Sequence, residues 1–340
     1  MSNLQIKTLE EFVRLQQNTA SLHVAKTGLR LGIIKQLASG QQPADQVAAS
    51  LQLDPSATRL LLQAMCETGL VERYGADFAL SQMARLLPNL QSLEDDHWLR
   101  LEQFVREGRL HDSVTDSVPM GARIEQAATK LQQAISKSSI VNDHQQWMQA
   151  PAAIDAAQVL DFGRSRRGLR VLEVGGGSAV FSATLAHRDP DSRFVLVDVA
   201  SNLARARYTT VSVGLENQFD FIECDPLAPT MEPQSFDLIL VAGQLHCLTE
   251  QVCKNWIACL AGALKPTGEL VVVDWFPGQE KGERTLAFYE LELGLRVPGA
   301  KMHRPQLVRE WLQAAGLSQV RYAHLPSPPH IWGLALAEKN

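Results

Sequence analysis

Between residues 8 and 38 the apolar positions Leu9, Phe12, Val13, Leu22, Val24, Leu29, Leu31, Ile33, Ile34 and Leu37 recur at broadly helical spacings, without a proline. The pattern predicts one long helical stretch closed by Gly40. Pro43-Ala44-Asp45 then opens a short helix through Leu51, and Asp54-Pro55 reads as an N-cap with proline at the first helical position of a helix reaching Thr68. Leu70-Val71-Glu72-Arg73 and Phe78-Ala79-Leu80-Ser81, either side of a Gly75-Ala76-Asp77 turn, predict a hairpin. Helix, helix, helix, hairpin is a winged-helix order. A helix that reads a DNA groove presents several cationic or amide side chains. Residues 56–68 offer Arg59 and Gln63, but otherwise Leu60, Leu61, Leu62, Met65 and Cys66, which predicts burial and a structural or dimerising role.

Residues 82–150 hold helical fragments at 95–107 and 122–137, interrupted by Pro88, Gly108, Pro119 and Gly121. They read as a helical connector that also covers one side of an active site. From Gly168 the texture changes, with short β-branched runs at 170–174, 193–198, 219–223, 236–242 and 269–276 alternating with helical stretches. Strands separated by helices predict an α/β domain, a parallel sheet covered on both faces. Two late strands, 319–325 and 331–338, flank Pro326-Ser327-Pro328-Pro329, a connection short enough for an antiparallel hairpin at the sheet edge. The expected domains are therefore 1–90, 91–167 and 168–340.

Composition narrows the class. Apolar residues are 45% and charged residues 20% of 340, an ordinary globular balance, and the net charge of −5 gives no reason to expect a nucleic-acid binder. Lys7, Glu10, Glu11 and Arg14 leave no apolar core for a leader, and no apolar run is long enough for a membrane span. Cys66, Cys224, Cys247, Cys253 and Cys259 lack paired zinc-site spacing, so reduced thiols in a cytoplasmic protein, with no metal, are expected.

The chemistry gathers after 170–174. That strand runs into Glu173-Val174-Gly175-Gly176-Gly177-Ser178-Ala179, where glycines let the backbone approach a bound nucleotide. Asp198 ends the next strand 23 residues after Gly175, the spacing of a carboxylate that takes ribose hydroxyls. A dinucleotide enzyme shares that arrangement, but here an acid stands two residues ahead of the first glycine. Chemistry in such sheets gathers where the strand order reverses, which places His246 usefully after the fourth strand.

The Glu-x-Gly-x-Gly pattern resembles that of class I S-adenosylmethionine-dependent methyltransferases. With its winged-helix front end the chain is similar to the O-methyltransferase family that includes plant caffeic acid-type and bacterial natural-product enzymes. The resemblance covers both ends of the chain and is vague across 82–150. It implies a Rossmann-like S-adenosylmethionine-binding domain, a seven-stranded, mostly parallel sheet with a C-terminal antiparallel hairpin. It also implies cofactor contacts from Glu173, Gly175, Gly176, Gly177, Asp198 and Asp225, the last in Cys224-Asp225-Pro226. The alternative for Asp225 is a turn acid before Pro226. The family's final glycine is Ala179 here, and its Leu-His-Asp-Trp loop is Leu245-His246-Cys247-Leu248. By resemblance His246 is the general base and Asp274 its orienting acid. A second family acid falls at Met302, leaving open whether His303 replaces it.

Trp147, Met148, Trp275, Phe288, Leu293 and Met302 are candidates for a substrate wall, whereas Phe181 and Leu291 read as core. The expected activity is O-methylation of a small aromatic metabolite. The alternatives are non-methylating chemistry on the same cofactor (decarboxylation, hydroxylation or a pericyclic step) and, from another class, an S-adenosylmethionine-sensing DNA-binding regulator. The apolar N-terminal helices predict a homodimer in which one chain's N-terminal segment helps to close the other's site.

Overall fold

The structure is a computed structural model that describes residues 3–86, 97–107, 139–229, 231–277, 290–291, 293–295, 301–326 and 332–340. The chain divides into two compact units, Met1–Asp96 and His97–Asn340.

The first unit contains α1 (Asn3–Arg30), α2 (Ile33–Ala38), β1 (Gln42–Pro43), α3 (Ala44–Leu51), α4 (Pro55–Glu67), β2 (Val71–Tyr74), β3 (Asp77–Leu80) and α5 (Gln82–Leu86). The single stretch expected over 8–38 is two helices. Gly32, at φ 78°, turns the chain between them, a conformation that glycine adopts without steric cost. Asp54 caps α4 by accepting from the Ala57 amide at 2.7 Å, with Pro55 in its first turn. Helix α4 buries Thr58, Leu62 and Met65, while Leu60 stays 66% exposed, so only one of its faces is core. The hairpin β2–β3 gains a third strand, β1, whose Gln42 lies opposite Phe78.

The second unit begins with a 3-10 turn (His97–Arg100) and α6 (Leu101–Glu107). It continues with α7 (Ser139–Val159), β4 (Arg170–Val174), α8 (Val180–Arg188), β5 (Arg193–Asp198), α9 (Ala200–Ser212), β6 (Phe219–Glu223), β7 (Phe236–Ala242) and α10 (Glu250–Ala263). Strand β8 (Leu264–Asp274), α11 (Pro305–Ala314), β9 (Leu317–Leu325) and β10 (Trp332–Lys339) complete it. The expected fragment 122–137 lies outside the described residues. Helix α7 has no counterpart in the local sequence signals and carries Pro151 inside it.

Seven strands form one sheet in the order β6-β5-β4-β7-β8-β10-β9. The first five are parallel, and β10 runs antiparallel to both β8 and β9. Strand order reverses between β4 and β7, so the loops leaving those strands open at one crevice. Val171, Leu238, Leu240, Val271 and Val273 face one core layer, and Leu172, Ile239, Val241, Leu270 and Val272 face the other. A sheet covered on both faces has continuous apolar strands, which is why they were visible in the sequence.

Candidate active site

The crevice is built from three loops. The first leaves β4 and turns tightly at Gly175 (φ 69°) and Gly177 (φ 57°), conformations that favour glycine. Gly175 donates its amide to Val197 O of the neighbouring strand at 2.9 Å. A Cβ on Gly176 would lie 2.5 Å from Glu173 Cδ and 2.7 Å from Leu196 Cδ1, so no side chain fits there. Ala179 holds φ 63° at the head of α8, where a Cβ costs about 1 kcal/mol or more, which explains why glycine suits this position.

Glu173 is 1% exposed. Its Oε2 accepts from Ser182 Oγ and from the Ser182 amide, while Oε1 is buried without a partner. Burial pushes its carboxyl up to about 7, against the opposing pull of the Ser182 bonds.

Asp198 ends β5 on the other side of the loop. Its Oδ2 accepts from Gly177 N at 3.0 Å, and its Oδ1 from Val199 N at 2.7 Å and Asn202 Nδ2 at 2.9 Å. An ionised carboxylate has about four acceptor sites, so three bonds orient it and leave room for one more. Burial raises its carboxyl above the usual range despite these donors.

The third loop leaves β7 as a 3-10 turn, Leu245–Cys247. Asp274, at the end of β8, accepts from His246 Nδ1 at 2.6 Å, from the amides of Leu245 at 2.8 Å and His246 at 3.3 Å, and from Trp275 N at 2.7 Å. Both side chains are buried, His246 at 4% and Asp274 at 1% exposure. The Trp275 ring stacks on the imidazole at 5.5 Å between centroids with 8° between planes. Gln244, one residue before this turn, donates Nε2 to Gly175 O at 2.8 Å and ties the His246 loop to the glycine loop.

Residues 171–268 match the family described as "Methyltransferase domain". The chain is 22% identical over 314 residues to 3-hydroxy-5-methyl-1-naphthoate 3-O-methyltransferase of Streptomyces sahachiroi, covering 88% of this chain and 87% of that one. The mitomycin 7-O-methyltransferase MmcR has the same fold, with a TM-score of 0.76 over 99% of this chain and all of that one, at 18% identity. Residues 171–268 thus carry a methyltransferase domain, and the chain along most of its length is similar to O-methyltransferases. It is also 28% identical over 151 residues, 44% of its length and 39% of the relative's, to aclacinomycin 10-hydroxylase RdmB of Streptomyces purpurascens.

The remaining candidates of this methyltransferase fall in different places. Asp225 is exposed, and its Oδ1 accepts from Leu227 N at 2.9 Å, the local bond of a turn acid. Trp275 reaches the site by stacking on His246, and Trp332 packs edge-on against Trp275 at 5.3 Å between centroids. Leu293 and Met302 are buried, Met302 in the same core layer as Trp275. Phe181 is core, as its apolar setting implied, and its ring meets that of Trp332 at 6.2 Å. Trp147 and Met148 lie on α7, and Phe288 lies outside the described residues.

Two participants escaped the sequence reading. Trp332, opening β10, comes within 3.3 Å of where a Gly243 Cβ would stand, a proximity that no local pattern reveals. Gln244 is a plain polar residue before a histidine. Only the adjacency of β4 and β7 gives its amide a partner. Among the described residues no group of three His, Cys, Asp or Glu side chains is placed to hold a metal ion, and no helix is long and apolar enough to cross a membrane.

Proposed function

We propose that the enzyme methylates a hydroxyl of a small aromatic metabolite, with His246 as general base and Asp274 as the acid that orients it. The observation that carries this reading is the buried 2.6 Å His246–Asp274 pair, beside a glycine loop to which Gln244 bonds.

The glycine loop and Asp198 suit a nucleoside ligand. Gly175 to Gly177 permit close backbone approach and Asp198 keeps an acceptor site for a ribose hydroxyl, whereas Asp225, two residues past β6, is assigned to the adenine by the family resemblance alone. S-adenosylmethionine, when bound, supplies a methyl group made electrophilic by its sulfonium.

His246 acts on the acceptor. With Nδ1 donating to Asp274, the accepting lone pair lies on Nε2. Moving a proton from a phenol near pKa ~10 to an imidazole near ~6.5 is uphill by roughly 5 kcal/mol in water. Proton loss to His246 therefore accompanies methyl transfer rather than preceding it. Asp274 stabilises the imidazolium that forms, and Trp275 holds the ring plane.

The test is incubation with S-adenosylmethionine and a panel of hydroxynaphthoates and simpler phenols, with S-adenosylhomocysteine as the readout. His246→Ala is expected to lower turnover by about 10²- to 10⁴-fold, the usual weight of a general base. An unchanged rate rejects that role. The similarity to a hydroxylase, together with Cys247-Leu248 where the family loop reads Asp-Trp, favours non-methylating chemistry as the second reading. Product formation without S-adenosylhomocysteine would select it.

The enzyme is proposed to act as a homodimer through its N-terminal helices. Val13, Leu15 and Leu22 of α1 remain 40%, 62% and 42% exposed, apolar side chains that a partner chain's helices would cover. Light scattering at micromolar concentration should give twice the chain mass, and a monomer mass would end this proposal.

A further inference from the structure

His303 stands two residues before α11, in a segment fastened at three points. Lys301 Nζ bonds Glu250 Oε1 at 2.5 Å, His303 reaches the His246 loop, and Pro305 O accepts from the Tyr322 hydroxyl. The His303 ring is 2% exposed and meets Trp311 edge-on at 4.9 Å between centroids. Its Nε2 lies 3.0 Å from both Leu245 O and Leu248 O, and 3.7 Å from Cys253 Sγ.

Two carbonyl oxygens accept and never donate, so Nε2 carries a hydrogen shared between them. Nδ1 is buried without a partner, which suits a lone pair better than a second N–H. Burial also holds the imidazole below its usual range, and it pushes the neighbouring Cys253 thiol up, so this contact is neutral on both sides.

The acceptor identifies what the bond does. Leu245 C=O and His246 N–H belong to one planar peptide unit. Asp274 holds the N–H end of that unit, at 3.3 Å, and His303 holds the C=O end. The Cα of His246 hangs from this plane. A rotation of the plane would swing the imidazole away from Asp274 Oδ1.

We propose that His303 is a positioning residue for His246, acting by clamping the carbonyl end of the Leu245–His246 peptide opposite Asp274. This role rests on the reading of His246 as the base. His303 does not stand in for the acid missing at Met302: its bonds run to the backbone of the loop, and it supplies a donor rather than a negative charge.

The test compares His303→Gln, whose amide nitrogen reaches about as far as Nε2, with His303→Asn, whose amide is too short. Amide hydrogen exchange is followed at Leu245 and His246, with Leu240 in the middle of β7 as the internal control. In His303→Asn, exchange at the two loop amides should rise about tenfold, the effect of losing one hydrogen bond, with Leu240 unchanged. His303→Gln should stay within about threefold of the parent. The low-field proton signal of His246 Nδ1 should persist in His303→Gln and broaden in His303→Asn, while binding of S-adenosylhomocysteine is retained by both. A merely structural histidine would lower the melting temperature without separating the two variants at these amides. Equal exchange in both variants overturns the proposal. Should His303→Asn fail to fold, His303→Met takes its place in the same comparison. These readouts need no methyl acceptor. Failure to detect S-adenosylhomocysteine in turnover would therefore count against methyl transfer and leave the clamp standing.

Discussion

Asp274→Asn is expected to lower turnover by about 10³-fold and to destabilise the enzyme by about 3 kcal/mol, although it changes one atom. The carboxylate accepts four bonds, from the Leu245, His246 and Trp275 amides and from His246 Nδ1. An asparagine offers one accepting oxygen and one amino group. Whichever way it turns, its NH2 faces buried donors, and each donor left unmet costs about 1–3 kcal/mol. If the oxygen serves the backbone, the NH2 meets Nδ1, which forces that nitrogen to accept and moves the hydrogen to Nε2. The ring then presents a donor where a base is needed. Urea denaturation and release of S-adenosylhomocysteine measure the two effects. A variant of parental stability would show that the cluster of amides is not held by charge, and one of parental turnover would show that Asp274 does not set the tautomer.

Glu173→Gln is expected to flatten the pH dependence of stability in the cofactor-free enzyme. The parent carboxyl titrates at about 7 when folded and at 4.5 when not. Between those values the unfolded chain has released the proton that the folded chain still holds, so raising the pH favours unfolding. The stabilisation is complete below about pH 4.5 and is lost as the pH rises through 7, a total of about 3 kcal/mol. The physical cause is a carboxyl 1% exposed, with Oε1 unpartnered and Ser182 serving only Oε2. Glutamine has no charge to desolvate and keeps an oxygen for Ser182. His303, whose burial lowers its imidazole, acts in the opposite sense and loses stability as the pH falls below the usual imidazole value. Subtracting the Glu173→Gln curve from that of the parent therefore isolates the carboxyl. Parallel curves from pH 5 to 8 would mean that Glu173 is not held protonated in the folded enzyme.

Much of the fold was legible because its signals are local. Strands β4 to β7 appeared with their observed bounds; β5 and β7, covered on both faces, are nearly unbroken apolar runs, while edge strand β6 showed through Phe219, Phe221 and Ile222 despite its exposed Asp220 and Glu223. Asp54-Pro55 announced α4 because an N-cap and an N1 proline act within one turn. Other elements carry no such mark. Strand β1 is only Gln42–Pro43 and exists because Phe78 lies opposite. Strand β8 starts at Leu264, five residues before the expected 269, through Pro266-Thr267-Gly268, residues that normally signal a turn. The break at Gly32 looked like one more position inside a helix, since a single glycine is tolerated there and its positive φ is a choice made by packing.

By itself, the sequence determined that a glycine turn with Glu173 ahead of it and Asp198 beyond it follows a buried strand, and that a histidine follows the fourth strand. Those features depend on residue type and spacing along a few residues. The family resemblance paired Asp274 with His246, but tertiary structure decided that β8 brings them to 2.6 Å, that Gln244 bonds the glycine loop, and that His303 grips the Leu245 carbonyl. These contacts join residues 28, 69 and 58 positions apart. The reason is that a hydrogen bond requires two groups within about 3 Å, and over such separations only the order and register of the strands place them there.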